Sequence, residues 1–212
     1  VINYEDEYYI EAGISHTNGS TTAVTIPFDL DATGAMVRIK RTDSTGDWIT
    51  MDTLRGDTTY SKWNVGFAEG TFSDGGFSTT TFTMSGDFAT GTYILEAFKI
   101  GIYFQALLWS GTGSANAQTY ATALDNEVGF HAVLHRTANS NNAYHKSLTS
   151  VEHTIALDGP NAEADRNNFS AQSASGFTAQ ATPAAQDVNI SGRTYVSYAW
   201  ANSGPYSFGS YT

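Results

Sequence analysis

Cysteine is absent from the 212 residues, which removes disulfides, thiolate nucleophiles and cysteine-ligated zinc in one step. Basic residues are scarce: 10 Lys and Arg stand against 21 Asp and Glu, a formal net charge of -11. That balance repels nucleic-acid phosphates and anionic membrane surfaces, so no nucleic-acid partner is expected. No apolar run reaches the roughly 18 residues of a membrane span. The closest, residues 93–109, is interrupted by Glu96, Lys99 and Gln105, and no membrane insertion is expected. The chain begins at Val1 without Met or a basic-then-apolar leader, as expected of a processed chain or a piece of something longer. No glycine-rich segment joins a strand to a helix, so phosphate cradles are unsupported, and no G-x-S-x-G elbow is present.

What the chain does have is aromatic and small. It carries 12 Tyr, 12 Phe and 4 Trp, a hydrophobic share of 41%, 20 Gly and only 15% charged residues. Enough apolar surface is available to build a core, and the Gly, Ser and Thr content points to many short strands and turns. The expected class is all-β.

Residues 36–51 organise the chain. Apolar residues alternate with charges from Met36 to Arg41, Gly46 ends a polar turn, and Trp48-Ile49 restarts an apolar run, the pattern of a β-hairpin. A second copy follows: Ala132 to Thr137 leads through residues 138–142 into Tyr144-His145-Lys146-Ser147-Leu148. Ile14-Ser15 maps to Trp109-Ser110 and Arg41-Thr42 to Arg136-Thr137, both 95 positions on. Leu54 maps to Leu148 at 94, while Thr92-Tyr93 maps to Thr194-Tyr195 and Trp109-Ser110 to Tyr211-Thr212, each at 102. An internal repeat of β elements, with turn signals every 8 to 12 residues, predicts two tandem β-sandwich domains. The expected division is an acidic N-terminal arm at 1–7, a first sandwich at 8–105 and a second at 106–212, whose end at 206–212 begins a third unit or pairs with a neighbour. Expected strands include 62–65, 77–84 and 91–103 in the first copy. In the second they include 129–136, 143–148, 151–157, 176–179 and 193–201, and a helical turn is expected in the polar connection 158–175.

Chemistry is thinly represented. His131 and His135 fall on one face of a strand, with His145 on the partner strand of the hairpin, a conceivable three-histidine metal site. The first copy keeps none of these residues, having Met36 where the spacing puts His131, and solvent-facing polar positions are the preferred reading. Asp29-Leu30-Asp31-Ala32-Thr33-Gly34 starts like a calcium loop, but its twelfth position is Lys40 rather than Glu, which favours a turn. The paired acids Glu5, Asp6, Glu7 and Glu163, Asp165 lie in segments read as arm and loop, which suits solvation better than acid–base work. No cofactor is expected, and the chain is expected not to be an enzyme. Trp48, Trp63, Trp109 and Trp200 include candidates for a sugar-stacking platform, though most sit where core aromatics belong.

The motifs carry a resemblance. Lys40 to Trp48, the partial copy from Arg136 to Leu148, and the closing Ser191-Gly192-Arg193-Thr194-Tyr195-Val196-Ser197-Tyr198-Ala199-Trp200 with Tyr206 to Thr212 resemble a tandem-repeat β domain of large virion proteins of marine tailed bacteriophages. The resemblance implies an oligomeric structural protein on the virion surface: tail fibre, head fibre or capsid decoration, with other virion proteins or copies of itself as partners. The binding residues expected on that reading are Val1, Ile2 and Tyr4 of the arm and Tyr206, Phe208 and Tyr211 of the closing strand, acting by strand addition. The alternatives are a carbohydrate- or host-receptor-binding module at a fibre tip, taking host surface glycan, and a subunit of a non-viral extracellular filament.

Overall fold

The computed structural model describes all residues except 1, 6, 67, 74, 139, 140, 160, 161, 181–187 and 209–212. The chain is all-β and forms two compact units, Val1–Lys62 with Glu69–Ile100, and Trp63–Ala68 with Gly101–Thr212. The expected boundary between 105 and 106 falls inside an unbroken strand (Phe104–Ser110). The expected strand at 91–103 stops at Lys99, because the chain turns there and Gly101 N–H donates to the Phe104 carbonyl at 2.8 Å.

The first unit holds β1 (Ile2–Glu5), β2 (Tyr9–His16), β3 (Thr22–Thr25), α1 (Leu30–Thr33), β4 (Ala35–Arg41), β5 (Ile49–Asp52), β6 (Gly56–Lys62), β7 (Gly70–Thr71), β8 (Gly76–Ser78), β9 (Thr81–Met84) and β10 (Gly91–Lys99). Its large sheet runs β1-β2-β10-β4-β5-β6-β7 and its small sheet β3-β9-β8. Alternation builds both: Ile10, Ala12 and Ile14 of β2, and Tyr93, Leu95 and Ala97 of β10, turn inward. They meet Val24, Phe82 and Met84 of the small sheet in one core, the face-to-face packing of a β-sandwich.

The second unit holds β11 (Phe104–Ser110), β12 (Asn116–Thr119), β13 (Val128–His135), β14 (Asn141–His145), β15 (His153–Ala156), β16 (Ala164–Asp165), β17 (Phe169–Ser173), β18 (Gly176–Ala179) and β19 (Thr194–Ala201). Its sheets run β11-β19-β13-β14-β15-β16 and β12-β18-β17. Trp109, Val133 and Tyr195 of the first pack on Phe169, Phe177 and Ala179 of the second. Element for element this is the strand order of the first unit without β1.

The registers refine the spacing. Ile14 pairs with Tyr93 and Trp109 with Tyr195, consistent with offsets of 95 and 102. In the next strand, however, Tyr93 pairs with Arg41 while Tyr195 pairs with His135, so Arg41 and Arg136 do not correspond. The offset there is 94, and Val37, not Met36, holds the place of His131. A matched Arg-Thr dipeptide thus sits one residue out of step, which in a strand means the opposite face.

Two further expectations are corrected. Among the described residues, 158–175 contain β16 and β17 rather than a helical turn, because Phe169 is fully buried and ties the segment to β18. Residues 62–65 are not a strand: β6 ends at Lys62, and the segment from Trp63 joins the second unit, where Asn141 Nδ2 donates to the carbonyls of Trp63 and Val65, both at 3.3 Å.

Candidate functional site

Of the six residues expected to bind, Val1 and Tyr211 lie outside the described residues. Ile2 and Tyr4 belong to β1, which pairs with β2 through Ile2–Ala12, Tyr4–Glu11 and Glu5–Ile10, with a bulge between Ile2 and Tyr4. Far from a loose arm, Ile2–Glu5 is the edge strand of its own sheet. Tyr206 and Phe208 belong to the second unit and are not in a strand. Tyr206 N–H donates to the Ser203 carbonyl at 3.2 Å, and Phe208 N–H to Asn202 Oδ1 at 3.1 Å. The Phe208 ring stacks on Phe130 at 6.2 Å. Gly129 makes room for it, since a Cβ there would stand 2.2 Å from the ring. Residues 206–208 fold back on their own sheet instead of extending as a strand.

The three histidines do not converge. His131 and His135 share the inner face of β13, but His145 pairs with Phe130, and Tyr144 is the residue opposite His131, so His145 points to the other face. His131 is fully buried against Phe177 (4.4 Å) and Phe169 (5.2 Å). Its Nδ1 is 2.9 Å from the Gln172 amide nitrogen, which donates to it. Burial drives its pKa down to about 3, against the weaker upward pull of the Gln172 side-chain oxygen, 3.2 Å from the same nitrogen. His135 is held near 4 by burial and by Arg193, whose Nη1 donates to Nε2 at 3.2 Å. Both are neutral core side chains.

Asp29 is engaged as a helix cap: its Oδ1 accepts from the N–H of Asp31 (2.9 Å) and Ala32 (2.8 Å), and Gly34 closes the single turn α1. Sequence reading missed a buried charge cluster nearby. The side chains of Asp52 and Arg55 are wholly buried, and Arg55 Nε donates to Asp52 Oδ2 at 2.5 Å. Arg55 also bonds Ser61 Oγ, Glu69 Oε1 at 3.0 Å and the Thr50 carbonyl at 3.2 Å. A Leu-Arg-Gly-Asp run reads as a turn, and only Glu69, fourteen positions on, completes the cage. On the outer face of the same sheet, Arg38 Nη2 lies 2.6 Å from Glu96 and its guanidinium 4.4 Å from the Trp48 ring centre. Tyr9 donates to Glu96 at 3.3 Å, and burial with two adjacent carboxylates pushes its phenol well above its usual range. These groups satisfy one another.

The edges are the remaining chemistry. In the first unit β2 is flanked by β1, whereas among the described residues β11, its counterpart in the second unit, ends its sheet. Two shallow clefts flank the stretch of β2 beyond β1, one running to residues 22–25 and the other to Thr42 and residues 92–94.

Fold and edges define the class: an all-β protein of two sandwich units with one strand order. Residues 99–212 match the model of a family described as a domain of unknown function, DUF7483, and the chain belongs to that family. The match spans the second unit apart from Trp63–Ala68. No curated protein and no solved structure matches the chain.

Proposed function

We infer that the protein is a non-enzymatic structural building block of a tailed-phage virion exterior, a fibre or a capsid decoration, assembling with copies of itself or with other virion proteins through strand edges. The observation that carries the reading is the pair of sandwich units with one strand order in one chain, of which one has its outer edge covered by β1 and the other has the same edge uncovered among the described residues. A chain of this kind gains length by adding units and contacts by adding strands. The acidic, cysteine-free composition suits an exterior module that needs no redox chemistry to fold. The virion assignment draws on the resemblance of the closing and hairpin motifs.

Antibodies raised against the chain and applied to purified tailed-phage particles of its source test this by electron microscopy. Labelling of intact particles at fibres or capsid surface is expected. Particles that carry neither label nor, by mass spectrometry, any peptide of the chain would refute the assignment.

A further inference from the structure

Antiparallel strands alternate residues that point their N–H and C=O at one neighbour with residues that point them at the other. In β11 the odd positions face β19: the Tyr103 carbonyl accepts from Ala201 N–H at 2.9 Å, and Gly111 N–H donates to the Arg193 carbonyl at 2.8 Å. The even positions therefore face the open edge. The Phe104 carbonyl is taken by Gly101 N–H and the Ser110 carbonyl by Asn116 Nδ2 at 3.2 Å. Ala106 and Leu108 direct donors and acceptors outward, and the described residues supply no partner to them. Ala106 is buried at 9% exposure, Leu107 and Leu108 are half-buried and Ser110 is exposed, so the edge is accessible from Leu107 onward.

The first unit shows what that place in the fold accepts. By register with β10 and β19, Ala106 corresponds to Glu11 and Leu107 to Ala12, and those two residues pair with Tyr4 and Ile2 of β1. The position is a strand's position. The usual devices that keep an edge from pairing are lysine, proline, a bulge or an inward charge. The first unit has an acid there, Glu11, as well as a covering strand; Phe-Gln-Ala-Leu-Leu-Trp-Ser of β11 has no charge, no proline and no bulge.

We propose that β11 pairs antiparallel with β11 of a second copy, joining two six-stranded sheets across a two-fold axis at Leu107. Three observations select this occupant. The edge is neutral in a chain of net charge -11, so self-pairing meets no like-charge repulsion across the strands. The arm Ile2–Glu5 already has a place on β2, so a second copy offers its own β11 without undoing any pairing. With the axis at Leu107, outward-facing Ala106 meets outward-facing Leu108 of the second copy, and a small side chain opposes a large one in both hydrogen-bonded pairs. An isologous contact of this kind closes at two copies. It supplies one of the edge contacts on which the proposed structural role rests.

The absence of cysteine makes the test direct. At the axis, Leu107 would face its own copy in a non-hydrogen-bonded pair, with Cα atoms about 4.5 Å apart, within disulfide reach. Two Ser110 residues would stand about 20 Å apart along the strands. Under mild oxidation Leu107→Cys should form a covalent dimer and Ser110→Cys should not. In the unmodified chain, light scattering should show a dimer. Leu108→Pro, which removes an outward N–H, should weaken it at least about tenfold at an unchanged melting temperature. Equal cross-linking at both cysteines, or association untouched by Leu108→Pro, overturns the pairing. Association lost on removing residues 1–7 but kept in Leu108→Pro assigns the contact to the arm and overturns it as well. In those cases particle labelling still decides the structural role separately.

Discussion

His131 and Gln172 occupy the places that Val37 and Phe77 hold in the first unit, by register with Ala199 and Phe177 against Ala97 and Phe82. One sandwich fills the spot with two apolar side chains and the other with a hydrogen-bonded polar pair. The pair makes the second unit sensitive to acid. The folded-state pKa of His131, about 3, lies below the unfolded value near 6.5, so the unfolded chain binds the extra proton first. Stability is complete above that unfolded value and falls as pH drops toward 3, by about 2 kcal/mol at pH 5 from His131 alone. The ring's inward neighbours Phe169, Phe177 and Gln172 do not titrate, and Tyr144 opposite stays neutral here. His135 beside Arg193 acts in the same direction. The double variant His131→Val with Gln172→Phe copies the apolar pair, and its unfolding free energy from urea titration should fall about 2 kcal/mol less than the parent's between pH 7 and pH 5. An unchanged pH slope would show that the imidazole charges without unfolding.

At the scale of elements, the strands legible in the sequence are those whose pattern is local. The 36–51 hairpin reads directly as β4 and β5, whereas the Thr–Phe alternation expected as one strand over 77–84 folds as a hairpin of β8 and β9 that turns at Thr79 and Thr80. β17 escaped because Phe169 is its one fully buried residue, followed by Ser, Ala, Gln and Ser of which most are exposed. Its pairing with β18, not its composition, makes it a strand. β1 escaped for a related reason: three acids in a row at Glu5, Asp6 and Glu7 suggest a solvated arm, but a strand at a sheet edge has one side to water and tolerates charge there. The candidate edge on β11 was equally invisible, since openness is a property of the sheet order and no residue type encodes it. This gives β1 a measurable role. The even residues of β2 face β10, as the Lys99 N–H to Tyr8 carbonyl bond of 2.9 Å fixes, so Glu11 faces β1. Removing residues 1–7 should accelerate amide exchange at Glu11 while leaving Ile10 and Ala12 slow. Equal acceleration at all three would mean that β1 holds the whole of β2 in place instead of covering its edge.

At the scale of the whole molecule, the second unit is discontinuous in sequence. Its sheet carries a second aromatic layer on the face away from its core, where Phe104 and Tyr198 stack at 6.2 Å and Phe130 meets Trp200 at 5.5 Å. Trp63 closes that layer, 5.9 Å from both Tyr198 and Trp200 and 6% exposed. It arrives from the middle of the chain, 38 positions before Gly101, on a segment held by the Asn141 amide. The family's boundary at residue 99 leaves it out. Trp63 is one of the two buried indoles of that layer, and Trp63→Ala should cost the second unit about 3–5 kcal/mol. The same logic bears on the excised stretch 99–212, which has every strand of the second unit and not its indole. It should fold with a native-like far-ultraviolet spectrum yet bind a dye for exposed apolar surface, and a peptide of residues 61–68 should reduce that binding. The Asn141→Ala variant of the stretch should lose the response to peptide, because the anchoring amide is gone. A stretch 99–212 that unfolds as cooperatively as the full chain, binds no dye and ignores the peptide would mean that the aromatic layer closes without Trp63, and that the family unit is complete in itself.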